Sequence, residues 1–212
     1  MKIAIVGGTG DLGMGLGVRL SSNHHAILIG SRDPAKAEKA AEQVRSISGG
    51  KSISGHSNAD AAGACDAAIL AIPDLPSEEM LRDLAPLLKG KLVISPIVPM
   101  MFQDGLFRYA MLDGSAAEKV ASVLQTRVAA ALHTVPAEKL LKHDMLLELD
   151  VPVAAETKEI FSEAAALISE ISRLRPLYAG PLIVSRMLES MTPLLLNIGR
   201  FSKIRSPSIK IV

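Results

Sequence analysis

Gly8, Gly10 and Gly13 stand in G-x-G-x-x-G spacing within Lys2-Ile3-Ala4-Ile5-Val6-Gly7-Gly8-Thr9-Gly10-Asp11-Leu12-Gly13. A short apolar run precedes them. Leu12, Leu16 and Leu20 follow at i, i+4 and i+8, so the glycines sit in the strand–turn–helix setting that this spacing requires. Gly8 is expected to permit the tight turn, Gly10 to let the backbone approach a pyrophosphate, and Gly13 to let helix and strand pack closely. Thr9, Asp11 and Leu12 complete the loop, which reads as a phosphate cradle at the positive end of a helix dipole. A second apolar run, Ala26-Ile27-Leu28-Ile29, ends in Gly30-Ser31-Arg32, where an NAD site would carry a ribose-binding carboxylate. A guanidinium clamps a phosphate bidentately and a serine hydroxyl adds a donor, so Ser31 and Arg32 point to the 2′-phosphate of NADP. Lys36, one turn into the next helix, adds charge. Asp33 reads as an N-cap, because Pro34 follows at the first helical position.

The ends of the later strands contribute little reactive chemistry. Ile72-Pro73, Ser95 to Pro99 with Val98, and His133-Thr134-Val135-Pro136 leading to Ala137 are the candidates. Ligands bind outside the carboxyl ends of parallel strands, so Ile72, Pro73, Val98, His133, Val135, Pro136 and Ala137 join the glycine loop in one expected site. The sequence has no metal-ligand spacing, no nucleophile elbow and no Tyr-x-x-x-Lys pair, and Tyr109 and Tyr178 stand alone. His133 is the single titratable group at a strand end, a candidate for orienting a ring and not an assigned catalyst. A ketone would need a better-equipped general acid, whereas an acceptor with its own electron sink would not. The pattern therefore favours hydride transfer between two bound cofactors.

Strand and helix patterns alternate along the 212 residues, as in an α/β fold with a doubly wound, mostly parallel Rossmann-type sheet. Strands are expected at the two runs above, near Ser52–Ser54, and over Ala67–Ile72, Lys91–Ser95, Val128–Leu132, Leu147–Val153 and Arg173–Leu177, with an edge strand at Ser208–Val212. Ser77 and the Ser115-Ala116-Ala117-Glu118 capping box open helices, and Thr157–Ile171 is a long amphipathic one. Leu182 to Phe201 is a long apolar helix kinked at Pro193. On it Arg186 and Glu189 are placed to pair across about one turn. The expected division is a Rossmann-like domain over 1–175 and a small C-terminal helix–strand appendage over 176–212. Met187, Leu188, Met191, Leu194, Leu195 and Ile198 need cover on that helix, which points to a homodimer. A net charge of +1 shows no nucleic-acid footprint, and no apolar run approaches membrane-spanning length. One cysteine, Cys65, excludes a disulfide framework and reads as a buried, inert thiol. Met1-Lys2 runs straight into the first strand, so no signal peptide is expected and a cytoplasmic location follows.

The chain resembles the coenzyme F420-dependent NADP oxidoreductases, also called 8-hydroxy-5-deazaflavin:NADPH oxidoreductases, best known from archaea. The likeness runs through Gly7–Gly13, Gly30-Ser31-Arg32, Ser95-Pro96-Ile97-Val98-Pro99 and Ala131-Leu132-His133-Thr134-Val135-Pro136-Ala137. It continues in Leu174-Arg175-Pro176-Leu177, Ala179-Gly180-Pro181-Leu182 and Glu189-Ser190-Met191-Thr192-Pro193-Leu194. The resemblance implies reversible hydride transfer between C4 of NADP(H) nicotinamide and C5 of the deazaflavin of F420. It implies that Thr9, Ser31 and Arg32 bind the 2′-phosphate, that the His133–Ala137 loop bounds the pocket shared by the two rings, and that the C-terminal segment 176–212 completes that pocket. Three stretches depart from the family pattern: Asp74-Leu75, Ala154-Ala155-Glu156-Thr157 and Lys203-Ile204-Arg205-Ser206-Pro207-Ser208. All three lie where a second substrate could touch. An NADPH-dependent reductase of a flavin or a small imine, or a non-catalytic NADP-binding regulator, are the alternatives that the residues leave open.

Overall fold

Period-two burial along the first strand divides the interior. In β1 (Lys2–Val6), Ile3 and Ile5 face one side of the sheet while Ala4 and Val6 face the other, and all four are fully buried. The computed structural model describes residues 1–111, 113–171 and 173–212. β1 pairs in parallel with β2 (Ala26–Ser31), matching Ile3 to Ile27, and with β4 (Ala67–Leu70), matching Ile5 to Ile69. With β3 (Ile53–Ser57), β5 (Leu92–Ser95), β8 (Arg127–Ala130), β9 (Asp150–Ala155) and β10 (Arg175–Gly180) they form an eight-stranded sheet in the order β10-β9-β8-β5-β4-β1-β2-β3. Six strands run parallel. β9 turns antiparallel to β8, and β10 follows β9 in parallel. The mostly parallel, doubly wound architecture read from the sequence is the one observed.

Helices cover both faces. On the Ile3/Ile5 side lie α1 (Asp11–Ser21), α2 (Pro34–Ser48) and α7 (Lys158–Ser169), which bury Leu16, Val44 and Leu167 among others. On the Ala4/Val6 side lie α3 (Asn58–Ala64), α4 (Glu78–Leu88), α5 (Ala116–Leu124) and part of α8 (Ser185–Ser202), through Ala61, Leu84, Val120 and Leu188. The N-caps at Asp33, Ser77 and Ser115 fall where the sequence placed them, and Thr157 adds another. Asp33 accepts from the Ala35 and Lys36 amides, Ser77 from Met80, Ser115 from Glu118 and Thr157 from Ile160. Cys65 is buried with its thiol on the Ala62 carbonyl, and burial pushes its pKa up, as an inert thiol requires.

Several expected boundaries move. β4 ends at Leu70 instead of Ile72, because the Ile72 amide turns back onto the Leu70 carbonyl. β8 ends at Ala130 instead of Leu132, which has a left-handed φ of 73°. Both shortenings swing the chain out of the sheet just where the site begins. Ser208–Val212 forms no strand; among the described residues one backbone–backbone bond, from the Asp150 amide to the Ile209 carbonyl, joins it to the start of β9. Leu182–Val184 is a short 3₁₀ turn ahead of α8, and α8 is continuous across Pro193. A hairpin of β6 (Met100–Gln103) and β7 (Leu106–Tyr109) was not anticipated, although Asp104-Gly105 between two apolar runs is a strong turn signal. Both turn residues have positive φ, 51° and 77°, as a primed turn requires. The short helix α6 (Ala137–Leu140) was also unforeseen. β10 (Arg175–Gly180) spans position 175/176 and belongs to the main sheet.

Candidate functional site

The loop after β1 is shaped by contacts that leave no room for side chains. Gly7, not Gly8, takes the left-handed conformation of the turn, with φ of 71°, and its amide donates to Asn58 Oδ1 at 3.0 Å. A Cβ on Gly13 would lie 2.4 Å from the Gly8 Cα, so α1 can meet the loop only with glycine at 13, while a Cβ on Gly8 would lie 2.6 Å from the Ile5 carbonyl oxygen. By contrast a Cβ at Gly10 would meet nothing within 4 Å. Gly10 is also the N-cap of α1, and no side chain caps the first-turn amides. Open approach together with uncapped amides is the arrangement that receives a pyrophosphate.

At the end of β2, Ser31 is buried and its Oγ accepts from the Asp33 amide at 3.1 Å. Arg32 and Lys36 are exposed, and neither has an ion-pair partner among the described residues. Thr9, half-buried, lies in the loop after the neighbouring strand β1.

A cavity of about 310 Å³ opens beyond the ends of β4, β5 and β8. Leu12, Ile72, Pro73, Val98, His133, Val135, Pro136 and Ala137, all singled out from the sequence, line it together. Gly8, Thr9, Gly10, Asp11, Gly13, Ser31, Arg32 and Lys36 do not line it; they belong to the loop and strand end beside it, and Leu12 joins the two regions. Sequence reasoning did not single out Met100, Thr192, Leu195 or Leu196 as wall residues, whereas Ser206 and Pro207 fall in the Lys203–Ser208 stretch, expected to lie where a second substrate could touch. The segment 176–212 was expected both to complete the pocket and to form a dimer contact, but periodicity did not separate which positions of α8 face which, and the unforeseen hairpin hid Met100. Thr192 fastens α8 to the loop by donating to the His133 carbonyl at 2.8 Å.

Two buried polar atoms without a partner among the described residues lie at adjacent strand ends: Ser95 Oγ and His133 Nε2. His133 lines the cavity, and burial pushes its pKa down to about 3, with the Ser95 backbone acting weakly against that shift. The ring is therefore neutral near pH 7 and offers hydrogen-bonding without charge. An unsatisfied donor or acceptor in such a wall is a place for a polar ring substituent to bind.

The wall formed by Pro136 and Ala137 is held from behind. Arg19 of α1, almost fully buried, donates to the carbonyls of Leu140 and His143 at 2.9 Å, Lys139 at 3.0 Å and Lys142. The guanidinium thus caps the end of α6 and ties it to the helix that carries the glycine loop. Glu189 corrects a further expectation. It does not pair with Arg186; it is fully buried and accepts from the Ala116 and Ala117 amides at 3.0 Å and from Tyr109 Oη at 2.5 Å. Its carboxylate sits at the positive end of α5, while desolvation raises its pKa. Arg186 lies instead over the Tyr109 ring, 6.0 Å from its centre. Among the described residues no cluster of His, Cys, Asp and Glu could hold a metal ion, and no helix is long and apolar enough to cross a membrane.

A glycine loop at the switch point of a doubly wound sheet, with a basic strand end beside it, defines a Rossmann-type dinucleotide-binding protein. A family model described as "NADP oxidoreductase coenzyme F420-dependent" matches residues 2–99. An F420-dependent NADP reductase of Methanothermobacter thermautotrophicus is 36% identical over 219 residues, covering 100% of this chain and 94% of that protein. The F420-dependent NADP reductase of Methanocaldococcus jannaschii is also 36% identical, covering 100% and 98%. The chain belongs to the F420-dependent NADP oxidoreductase family. In fold it is similar to a crystal structure of a candidate F420-dependent NADP-reductase from Arthrobacter sp. FB24, with a TM-score of 0.85 at 21% identity, covering 100% of this chain and 99% of that one.

Proposed function

We propose that this chain catalyses hydride transfer between NADP(H) and coenzyme F420, with the two rings held in the cavity at the ends of β4, β5 and β8. The observation that carries the placement is the continuity of the glycine loop with that cavity through Leu12. The amides around Gly10 and the first turn of α1 receive the pyrophosphate. Thr9, Ser31 and Arg32 hold the 2′-phosphate, with Lys36 adding charge from the next turn. Ile72, Pro73, Val98, Val135, Pro136 and Ala137 form an aliphatic wall that excludes water from the rings. Neutral His133 orients a ring through a hydrogen bond and supplies no proton from an imidazolium. That poverty of acid–base groups suits two cofactors which carry the hydride chemistry themselves.

Segment 176–212 completes the site through α8. The exposed Met187, Leu194, Ile198 and Phe201, with half-buried Met191 between them, recur at spacings of four and three residues and form a seam suited to a second copy. The homodimer and a cytoplasmic location belong to this reading. The decisive assay mixes the purified protein with NADPH and oxidised F420 and follows loss of deazaflavin absorbance. Reduction of a flavin or imine with F420 untouched would overturn the proposal, and tight NADPH binding with no acceptor reduced would leave a regulator.

A further inference from the structure

The segment after α8 crosses one edge of the cavity. Lys203, at φ 56°, ends the helix in a left-handed cap, and the Ile204 amide returns to the Gly199 carbonyl at 3.0 Å. The chain doubles back so closely that a Cβ on Gly199 would lie 3.2 Å from Pro207 Cγ. Ser206 and Pro207 then line the cavity beside Leu195 and Leu196. Ser206 is itself left-handed, at φ 53°, a conformation that costs a serine free energy and persists only where neighbouring contacts impose it.

Beyond Pro207 the polar contacts of the segment converge on one ion pair outside the cavity. Arg175 Nε and Nη2 donate to the two oxygens of Asp150 at 2.6 and 2.8 Å. The Ile211 amide donates to Asp150 Oδ2, Arg175 Nη2 donates to the Ile211 carbonyl at 2.7 Å, and the Asp150 amide donates to the Ile209 carbonyl at 3.2 Å. The Asp150 side chain is 3% exposed and that of Arg175 57%, so this is a bidentate pair with a buried carboxylate and an exposed guanidinium that grips a backbone at three points. The other ion pairs along the segment among the described residues, Arg205 to Glu138 at 3.4 Å and Lys210 to Glu148 at 3.8 Å, join exposed groups and are weak by comparison.

We infer that Asp150 and Arg175 are positioning residues for the hydride acceptor: by seating residues 209–211 they hold Ser206 and Pro207 as a wall of the cavity, and so set its fit to a flat ring. The inference rests on the reading of this cavity as the acceptor's seat. Neither residue lines the cavity, so neither touches the acceptor or the dinucleotide. Loosening the segment widens one wall without altering the glycine loop or the Arg32 region.

The test is steady-state kinetics of Asp150→Asn, Arg175→Lys and Pro207→Gly with NADPH and F420, together with NADPH affinity from fluorescence titration. Asp150→Asn keeps the side-chain shape and removes the charge. The expected result is an F420 KM raised about five- to tenfold, kcat within about twofold of wild type, and unchanged NADPH affinity. Arg175→Lys, which keeps the charge and loses the fork, should fall between. Pro207→Gly, with the ion pair intact, should raise the same KM. A purely structural role would lower the melting temperature and leave the KM of the folded enzyme unmoved, and that result overturns the inference. Should Asp150→Asn fail to fold, Pro207→Gly decides alone. Val98→Trp, which fills the cavity, separates the two readings. If it leaves the F420 KM unchanged, the cavity is not the acceptor's seat; if it raises KM while the other variants do not, the segment does not position the acceptor.

Discussion

His133 makes the protein sensitive to mild acid in a way that one substitution can isolate. Its folded pKa is pushed down to about 3 by burial, against 6.5 for an unburied histidine. Below about pH 6.5 the unfolded chain binds a proton on this ring and the folded chain does not, so stability falls as pH falls. At 1.36 kcal/mol per unit, the loss at about pH 5.5 relative to neutral pH is about 1.4 kcal/mol, and it grows towards the folded value near 3. Glu189, whose pKa is raised in the fold, contributes with the opposite sign, because its folded form takes up a proton first. The measurement must therefore be a difference. Urea unfolding of wild type and His133→Asn at about pH 7.5 and 5.5 should show a pH-dependent gap that shrinks by about 1.4 kcal/mol in acid, with the m-value unchanged. Parallel stability profiles for the two proteins would refute the account, and would mean that the ring is charged or hydrated in the folded state. Bound F420 should protect in the same range, if it satisfies the unpartnered Nε2.

Replacing Arg32 with Asp should weaken NADPH by about 1.5–3 kcal/mol for each charge-assisted bond lost, roughly tenfold or more, with little change for NADH; unchanged discrimination in paired titrations removes Arg32 from the site. Glu189→Ala strands the Ala116 and Ala117 amides and the Tyr109 hydroxyl, so urea unfolding should show a loss on the order of 3 kcal/mol, and a loss under about 1 kcal/mol contradicts the buried network. Tyr109→Phe removes one donor of the three and should cost about 1 kcal/mol in the same experiment. Leu194→Glu, at a position 58% exposed on the α8 seam, should shift the protein to monomer in sedimentation or light scattering without loss of fold; an unaltered mass shows that the seam is not the contact between copies.

The two ends of the site were legible to different degrees, for physical reasons. Gly8, Gly10 and Gly13 could be read because a phosphate cradle needs backbone freedom and close approach, and only glycine supplies them. The detail still shifted: Gly7 carries the positive φ, while a Cβ on Gly8 would run into the Ile5 carbonyl. Strands β1, β2, β4 and β5 were legible as short apolar runs, since both faces of a parallel sheet are covered. His133, Val135 and Pro136 were placed by the rule that sites lie beyond carboxyl strand ends. The hairpin was legible in Asp104-Gly105 and went unread.

Local pattern determined the sheet class, the helix caps and the phosphate loop, because each depends on residues within a few positions of one another. Tertiary structure alone decided what covers the cavity. Thr192, Ser206 and Pro207 reach it from the far end of the chain, and Asp150 meets Ile211 across 61 residues. Whether the apolar positions of α8 face the core, the cavity or solvent also lay beyond periodicity, since Leu188, Leu195 and Leu194 share one helical pattern and end buried, lining the cavity and exposed. Glu189 carries the same lesson in charge: a carboxylate one turn from an arginine reads as its partner, until folding brings the open amides of α5 within 3.0 Å. Spacing along a chain specifies which groups can neighbour one another on one element. Only the packing of elements selects which contact is made, because burial removes water as the competing partner and makes each unmet donor or acceptor costly.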